Sequence, residues 1–130
     1  MSLLAKAELA TLSHICDNVH MYEIKFFTDV DEVCPFDLWF YALKDKSAKA
    51  RIAARLTRAS EGNFGDWKCL ENANGVYEMR EHYGAGFRIY YTIMNKTVLL
   101  ILAGSTKHGQ KKTIEKAKYY LAQIQRRETP

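Results

Sequence analysis

V-Y-E-M-R-E-H-Y-G-A-G-F-R-I-Y-Y, residues Val76 to Tyr91, decides the fold. Two runs of alternating apolar and polar residues flank Gly84-Ala85-Gly86, the pattern of two half-buried strands joined as a hairpin. A three-residue turn sets Tyr83 opposite Phe87, His82 opposite Arg88, Arg80 opposite Tyr90 and Glu78 opposite Thr92. One face of the hairpin then carries Glu78, Arg80, His82, Arg88, Tyr90 and Thr92. The other carries Tyr77, Met79, Tyr83, Phe87, Ile89, Tyr91 and Ile93, with Glu81 its one charged intruder. A two-residue turn would mix the faces, because a slip of one residue moves every side chain to the other side. The expectation is a cationic sheet face with two arginines, a histidine and a tyrosine close together.

Downstream, Asn95-Lys96 turns the chain into T-V-L-L-I-L-A, residues Thr97 to Ala103, apolar at successive positions and so a strand buried on both faces. Counting from that turn pairs Thr92 with Leu99, Tyr90 with Ile101 and Arg88 with Ala103. Arg88 then lies beside the strand end that leads into the loop of Lys107 and His108. Arg80, His82, Arg88, Tyr90, Lys107, His108 and Lys111 can therefore converge. A final helix from about Gln110 to Arg127 has Ile114, Ala117, Leu121 and Ile124 as its apolar stripe, with Lys111 and Lys112 beside it.

Upstream, M-Y-E-I-K-F-F from Met21 reads as a strand. Asp31 is placed to cap a helix that has Pro35 in its first turn and Phe36, Trp39, Phe40 and Leu43 on one face. Ser47 is the expected cap of a helix over 48–60, whose Ala48, Ile52, Leu56 and Ala59 face a core and whose Arg51, Arg55 and Arg58 form an adjoining stripe. A loop follows at residues 61–66, then a short strand at Trp67 to Leu70 and a turn at Asn72-Ala73-Asn74-Gly75. Residues 3–18 have helical spacing and no signal-peptide character, and a second methionine at position 21 marks residues 1–20 as an N-terminal helical extension. The fold class is α+β: a small twisted antiparallel sheet in β-α-α-β-β-β-α order, with helices packed on one face and the other left open.

With 48% hydrophobic and 26% charged residues, the composition fits a globular domain and no disordered chain. No run reaches the roughly 18 apolar residues of a membrane helix, so no membrane partner is expected. Residues 1–40 hold two basic against seven acidic side chains, whereas residues 41–130 hold 17 against eight, which favours a polyanionic partner such as nucleic acid. Cys16, Cys34 and Cys69 are far apart and form no paired motif, consistent with a reducing, cytoplasmic setting. No metal-ligand spacing occurs.

Guanidinium and ammonium groups beside an imidazole and a phenol suit RNA cleavage. Cations stabilise the charge developing on phosphate, a base takes the 2′-OH proton, and an acid protonates the leaving 5′-oxygen. The same residues also have purely structural readings. Arg80 and Arg88 can pair with Glu78, His82 can be a cross-strand partner without chemistry, Tyr90 can be packing, and the Arg51, Arg55, Arg58 stripe can be a solvated helix face.

Y-E-M-R-E-H-Y-G-A-G-F-R-I-Y-Y, followed by L-L-I-L-A-G-S-T-K-H-G-Q-K-K-T-I-E-K-A, resembles the phage-derived addiction-module killer proteins of the RelE/ParE toxin superfamily, on the HigB-like side. L-K-D-K-S-A-K-A-R-I-A-A-R-L and G-N-F-G-D-W-K are similar to the same family, so the resemblance spans about Met21 to Leu121. It implies a RelE-like toxin domain over residues 21–130 and the toxin half of a type II toxin-antitoxin pair. Most such members are ribosome-dependent mRNA endonucleases that need no cofactor. The implied partners are mRNA, the ribosome and a neutralising antitoxin, a small helix-turn-helix protein, with homo- or hetero-oligomeric assembly open. The family's arginines map onto Arg80 and Arg88, its loop lysine onto Lys107, and Gln110 also matches. Arg51, Arg55, Arg58, Gln110, Lys111 and Lys112 are the candidate RNA contacts. Where the family has a second glycine and an aspartate before the lysine, this chain has Ser105 and Thr106; Ala85 stands for a proline and Thr113 for an aspartate. The same fold also serves gyrase inhibitors of the ParE type, and an inactive remnant is a further alternative.

Overall fold

A computed structural model describes residues 21–128; the expected helix at 3–18, and with it the extension at 1–20, lies outside the described residues. The elements are β1 (Glu23–Phe26), α1 (Pro35–Ala42), α2 (Lys46–Ser60), β2 (Trp67–Cys69), β3 (Tyr77–Glu81), β4 (Phe87–Met94), β5 (Val98–Thr106), a 3-10 turn (Lys107–Gly109) and α3 (Gln110–Glu128). The class is α+β, with an open sheet in the order β1-β5-β4-β3-β2. The sheet is mixed rather than antiparallel throughout, because β1 runs parallel to β5 while every other neighbour is antiparallel.

The expectation of helices on one face only is overturned. Ile52, Leu56 and Ala59 of α2 and Phe36 and Phe40 of α1 pack against Met79, Ile89, Tyr91, Leu99 and Ile101. On the opposite face, Ala117, Leu121 and Ile124 of α3 pack against Val76, Tyr90, Leu100, Leu102 and Ala103. The reason lies in β5: a strand apolar on both faces needs a cover on both. The sheet face that carries Glu78 and Arg88 is therefore roofed by α3 over its inner part and open only towards the hairpin turn.

Hairpin register also differs from the sequence reading. Arg80 faces Arg88, Glu78 faces Tyr90 and Glu81 faces Phe87, so five residues, 82–86, connect the strands. A hydrogen-bonded turn closes the tip, with Gly86 N donating to the Tyr83 carbonyl at 3.0 Å, and Gly84 (φ 58°) supplies the left-handed backbone that this turn demands. The register moves by two residues, so each side chain stays on its expected face. The next turn is longer by one residue as well: Asn95 and Lys96 both have positive φ, and Met94 pairs with Val98. A β-bulge between Tyr90 and Tyr91 adds one more shift, bringing Arg88 opposite Ser105 instead of Ala103.

Neither expected cap is used: Cys34 precedes α1 with no side-chain cap bond, and in each case an acid two residues ahead of the expected cap holds the local backbone. Asp29 Oδ1 accepts from Asp31 N and Val33 N at 2.8 and 2.9 Å, holding the loop that delivers Pro35. Asp45 Oδ1 accepts from Ser47 N and Ala48 N at 2.9 and 3.1 Å and caps α2. Glu81, the intruder on the apolar face, is matched by Arg55 of α2, whose Nε and Nη2 each lie 3.0 Å from Glu81 Oε2.

Gly104 in β5 lies under the Trp39 indole, and a Cβ added there would run into Trp39 Cζ3 and Cε3. Gly104→Ala is expected to cost about 1–3 kcal/mol by overpacking, with Trp39→Leu in the same chain recovering part of it. Urea unfolding of the single and double variants measures both terms.

Candidate functional site

At the turn end of the hairpin, an open cleft of about 570 Å³ is lined by Lys68, Arg80, His82, Gly84, Ala85, Gly86, Arg88, Lys107 and Gln110. Three strands, the hairpin turn, the 3-10 turn and the start of α3 build it. Alternation in β2 points Lys68 to the face of Glu78, its cross-strand partner. β3 and β4 bring Arg80 and Arg88 face to face, and Lys107 N donates to the Gly86 carbonyl at 3.0 Å, tying the 3-10 turn to the hairpin tip.

Two like charges directly opposite on neighbouring strands repel. Here Glu78, fully buried, lies between them. Arg80 Nε donates to Glu78 Oε1 at 3.0 Å, Arg88 Nε is 3.8 Å from the same oxygen, and Gln110 Nε2 donates to Glu78 Oε2 at 2.7 Å. The bond to Glu78 raises the pKa of Arg80. Arg88 is itself buried; its Nη1 donates to the Phe87 carbonyl at 3.2 Å, and its Nε has no hydrogen-bond partner. Arg88 is thus a wall of the cleft rather than an outward-facing side chain.

His82 leaves the strand ladder and reaches across the turn to Asp66, with 2.6 Å between Nε2 and Oδ2. This hydrogen bond holds the Asp66 carboxyl below the usual carboxylate range, helped by the charges of Arg80, His82 and Arg88 and opposed by a desolvation penalty. With Nε2 turned to the carboxylate, Nδ1 is the ring nitrogen left for a substrate.

Tyr90 is removed from the set. It has no solvent exposure, its hydroxyl bonds Ser105 Oγ at 3.2 Å, and Ser105 Oγ in turn donates to the Thr106 carbonyl at 2.9 Å. Burial pushes its phenol up to about 12, so it is neither an acid nor a base near neutrality. His108, Lys111 and Lys112 are exposed but lie outside the cleft lining. Arg51, Arg55 and Arg58 belong to α2 beneath the opposite face. Arg55 is spent on Glu81, Arg51 stacks over the Tyr83 ring at 4.6 Å, and Arg58 is exposed. The cleft therefore unites five of the twelve candidates: Arg80, His82, Arg88, Lys107 and Gln110.

Three members escaped the sequence reading in these roles. Lys68 was legible in principle, since alternation within its strand sets it apart from its neighbours. Asp66 sits in a loop 16 residues from His82, and no local pattern links them. Glu78 was visible as a partner of Arg80 but not as a carboxylate shared by two arginines and a helix residue. Among the described residues, no group of three or more His, Cys, Asp or Glu side chains could hold a metal ion, and no helix is long and apolar enough to cross a membrane.

Fold and cleft together define an α+β protein with an open mixed sheet and a cleft lined by cationic side chains at one end of it. No family model matches the chain. It is 41% identical over 83 residues to an uncharacterized protein of Haemophilus influenzae, a match covering 64% of this chain and 82% of that protein, and it belongs to the same family.

Arg88→Ala leaves Glu78 with one guanidinium fewer and is expected to cost about 3 kcal/mol, whereas Lys107→Ala, at an exposed site, should stay within about 0.5 kcal/mol of the parent. Denaturant midpoints distinguish the two. A tyrosine in the unfolded chain ionises near pH 10, while Tyr90 holds its proton to about 12 in the fold. Its contribution to stability is intact below pH 10 and lost as pH rises towards 12, by roughly 3 kcal/mol. Tyr90→Phe should flatten that alkaline loss in unfolding curves taken between these pH values.

Proposed function

We propose that this protein is an RNA-cleaving toxin of the RelE/ParE type that acts on mRNA at the ribosome in the cytoplasm and is held in check by an antitoxin. The observation that carries the reading is the cleft itself. Arg80, Arg88, Lys107 and Lys68 surround a space open to a chain, with the His82–Asp66 pair on the same lining. Two arginines held at Glu78 and two exposed lysines suit one backbone phosphate and the charge that grows on it in the transition state. The sequence resemblance, residue by residue at Arg80, Arg88, Lys107 and Gln110, supports the ribosomal setting.

In this reaction the ribose 2′-oxygen attacks the adjacent phosphorus and the bond from phosphorus to the 5′-oxygen breaks, leaving a 2′,3′-cyclic phosphate and a free 5′-hydroxyl. His82 Nδ1 takes the 2′-OH proton, and Asp66 fixes the ring and balances the imidazolium. Lys107, exposed at the rim, donates the proton to the departing 5′-oxygen. Arg80 and Arg88 hold the non-bridging oxygens. The antitoxin is expected to lay an acidic segment over the same cations.

Expression without the antitoxin should arrest growth and yield mRNA 5′ ends phased to codons. Lys107→Ala and His82→Ala should each lower cleavage by about 10²-fold with little change in melting temperature. Unimpeded growth with no phased cuts would sink the reading. Inhibited supercoiling by purified gyrase without RNA cuts would replace it with the ParE-type alternative.

A further inference from the structure

Both guanidinium groups of the cleft meet Glu78 through Nε, the nitrogen nearest the chain. Arg80 Nε is 3.0 Å and Arg88 Nε 3.8 Å from Oε1, and the other carboxylate oxygen is pinned at 2.7 Å by Gln110. Arg80 is held there by a hydrogen bond that leaves its terminal Nη nitrogens available, whereas Arg88 is held by burial, by the ion pair and by Nη1 donating to the Phe87 carbonyl, which leaves Nη2 for a ligand. A carboxylate without solvent exposure is costly unless paired, so Glu78 is fixed in turn by the cations it fixes. Three elements, β3, β4 and α3, meet at this one group.

We propose that Glu78 is the positioning residue of the cleft: its carboxylate sets Arg80 and Arg88 at a fixed spacing as a two-guanidinium clamp for a single phosphodiester, and Gln110 sets the carboxylate. The proposal rests on reading the cleft as an RNA site. It makes a prediction opposite in sign to simple electrostatics. Removing a negative charge from a cationic cleft should tighten its hold on a polyanion, whereas removing the group that orients the two arginines should loosen it.

The test uses the whole chain and a 2′-O-methylated RNA oligonucleotide that cannot be cleaved. Glu78→Gln keeps the shape and removes the charge. Folded Glu78→Gln is expected to bind the oligonucleotide roughly tenfold more weakly and with a shallower salt dependence than the parent, despite its higher net charge. Equal or tighter binding by the folded variant overturns the clamp and leaves the RNA reading in place. The side-chain Nε–H signals of Arg80 and Arg88 in the unsubstituted protein give a second measurement independent of that variant's folding. Both should be protected from solvent exchange without ligand and stay so when the oligonucleotide is added, while the Nη signals shift. Rapid exchange at either Nε–H in the free protein overturns the clamp. If both are protected but the parent protein fails to bind the oligonucleotide, the clamp geometry stands and the RNA reading fails.

Discussion

A fully buried carboxylate governs this molecule's polar architecture. Glu78 has no solvent exposure, and it sits where alternation in β3 turns a side chain towards α3. Such a charge persists in a fold only when its partners are close and fixed. Two arginines opposite one another on neighbouring strands would repel, and a glutamate buried alone would shed its charge. Together they form a stable unit, and Gln110 joins that unit to the first turn of α3. The place where the helix begins to cover the sheet and the place where the cleft opens are therefore set by the same contact.

The period-two alternation of residues 76–91 made the hairpin legible, as well as which residues share a face, because a strand of a two-faced sheet cannot disguise that pattern. Turn length was not legible. A register moved by two residues leaves every side chain on its own face, so the hydrophobic pattern cannot tell Arg80 opposite Tyr90 from Arg80 opposite Arg88. The cover on the second face was written in Val98 to Ala103, apolar at successive positions, and in the apolar stripe of the last helix. The two only had to be matched. The contact of Asp66 with His82 depends on how a loop crosses a turn, which no spacing encodes.

Charge was a partial guide to the site. The basic surplus of residues 41–130 includes groups with opposite fates. Arg55 offsets Glu81 inside the α2 face and Arg51 lies on Tyr83, whereas Arg80, Arg88 and Lys107 border open space. A count cannot distinguish a cation consumed within the fold from one offered to a ligand. Ser105 bonds the hydroxyl of Tyr90 and keeps that phenol within the framework of the sheet rather than in the cleft.

The bulge in β5 opposite Tyr90 and Tyr91 adds one residue to the strand and resets its phase. Before it, odd-numbered residues such as Leu99 and Ile101 face α1 and α2; beyond it, Gly104 meets Trp39 and Ser105 meets Tyr90. The strand is in effect written in two reading frames, one for the core and one for the cleft. Loss of a single residue between them would put the serine under the indole and the glycine beside the phenol. Along this strand the number of residues is as strict a constraint as the fit of Gly104 beneath Trp39.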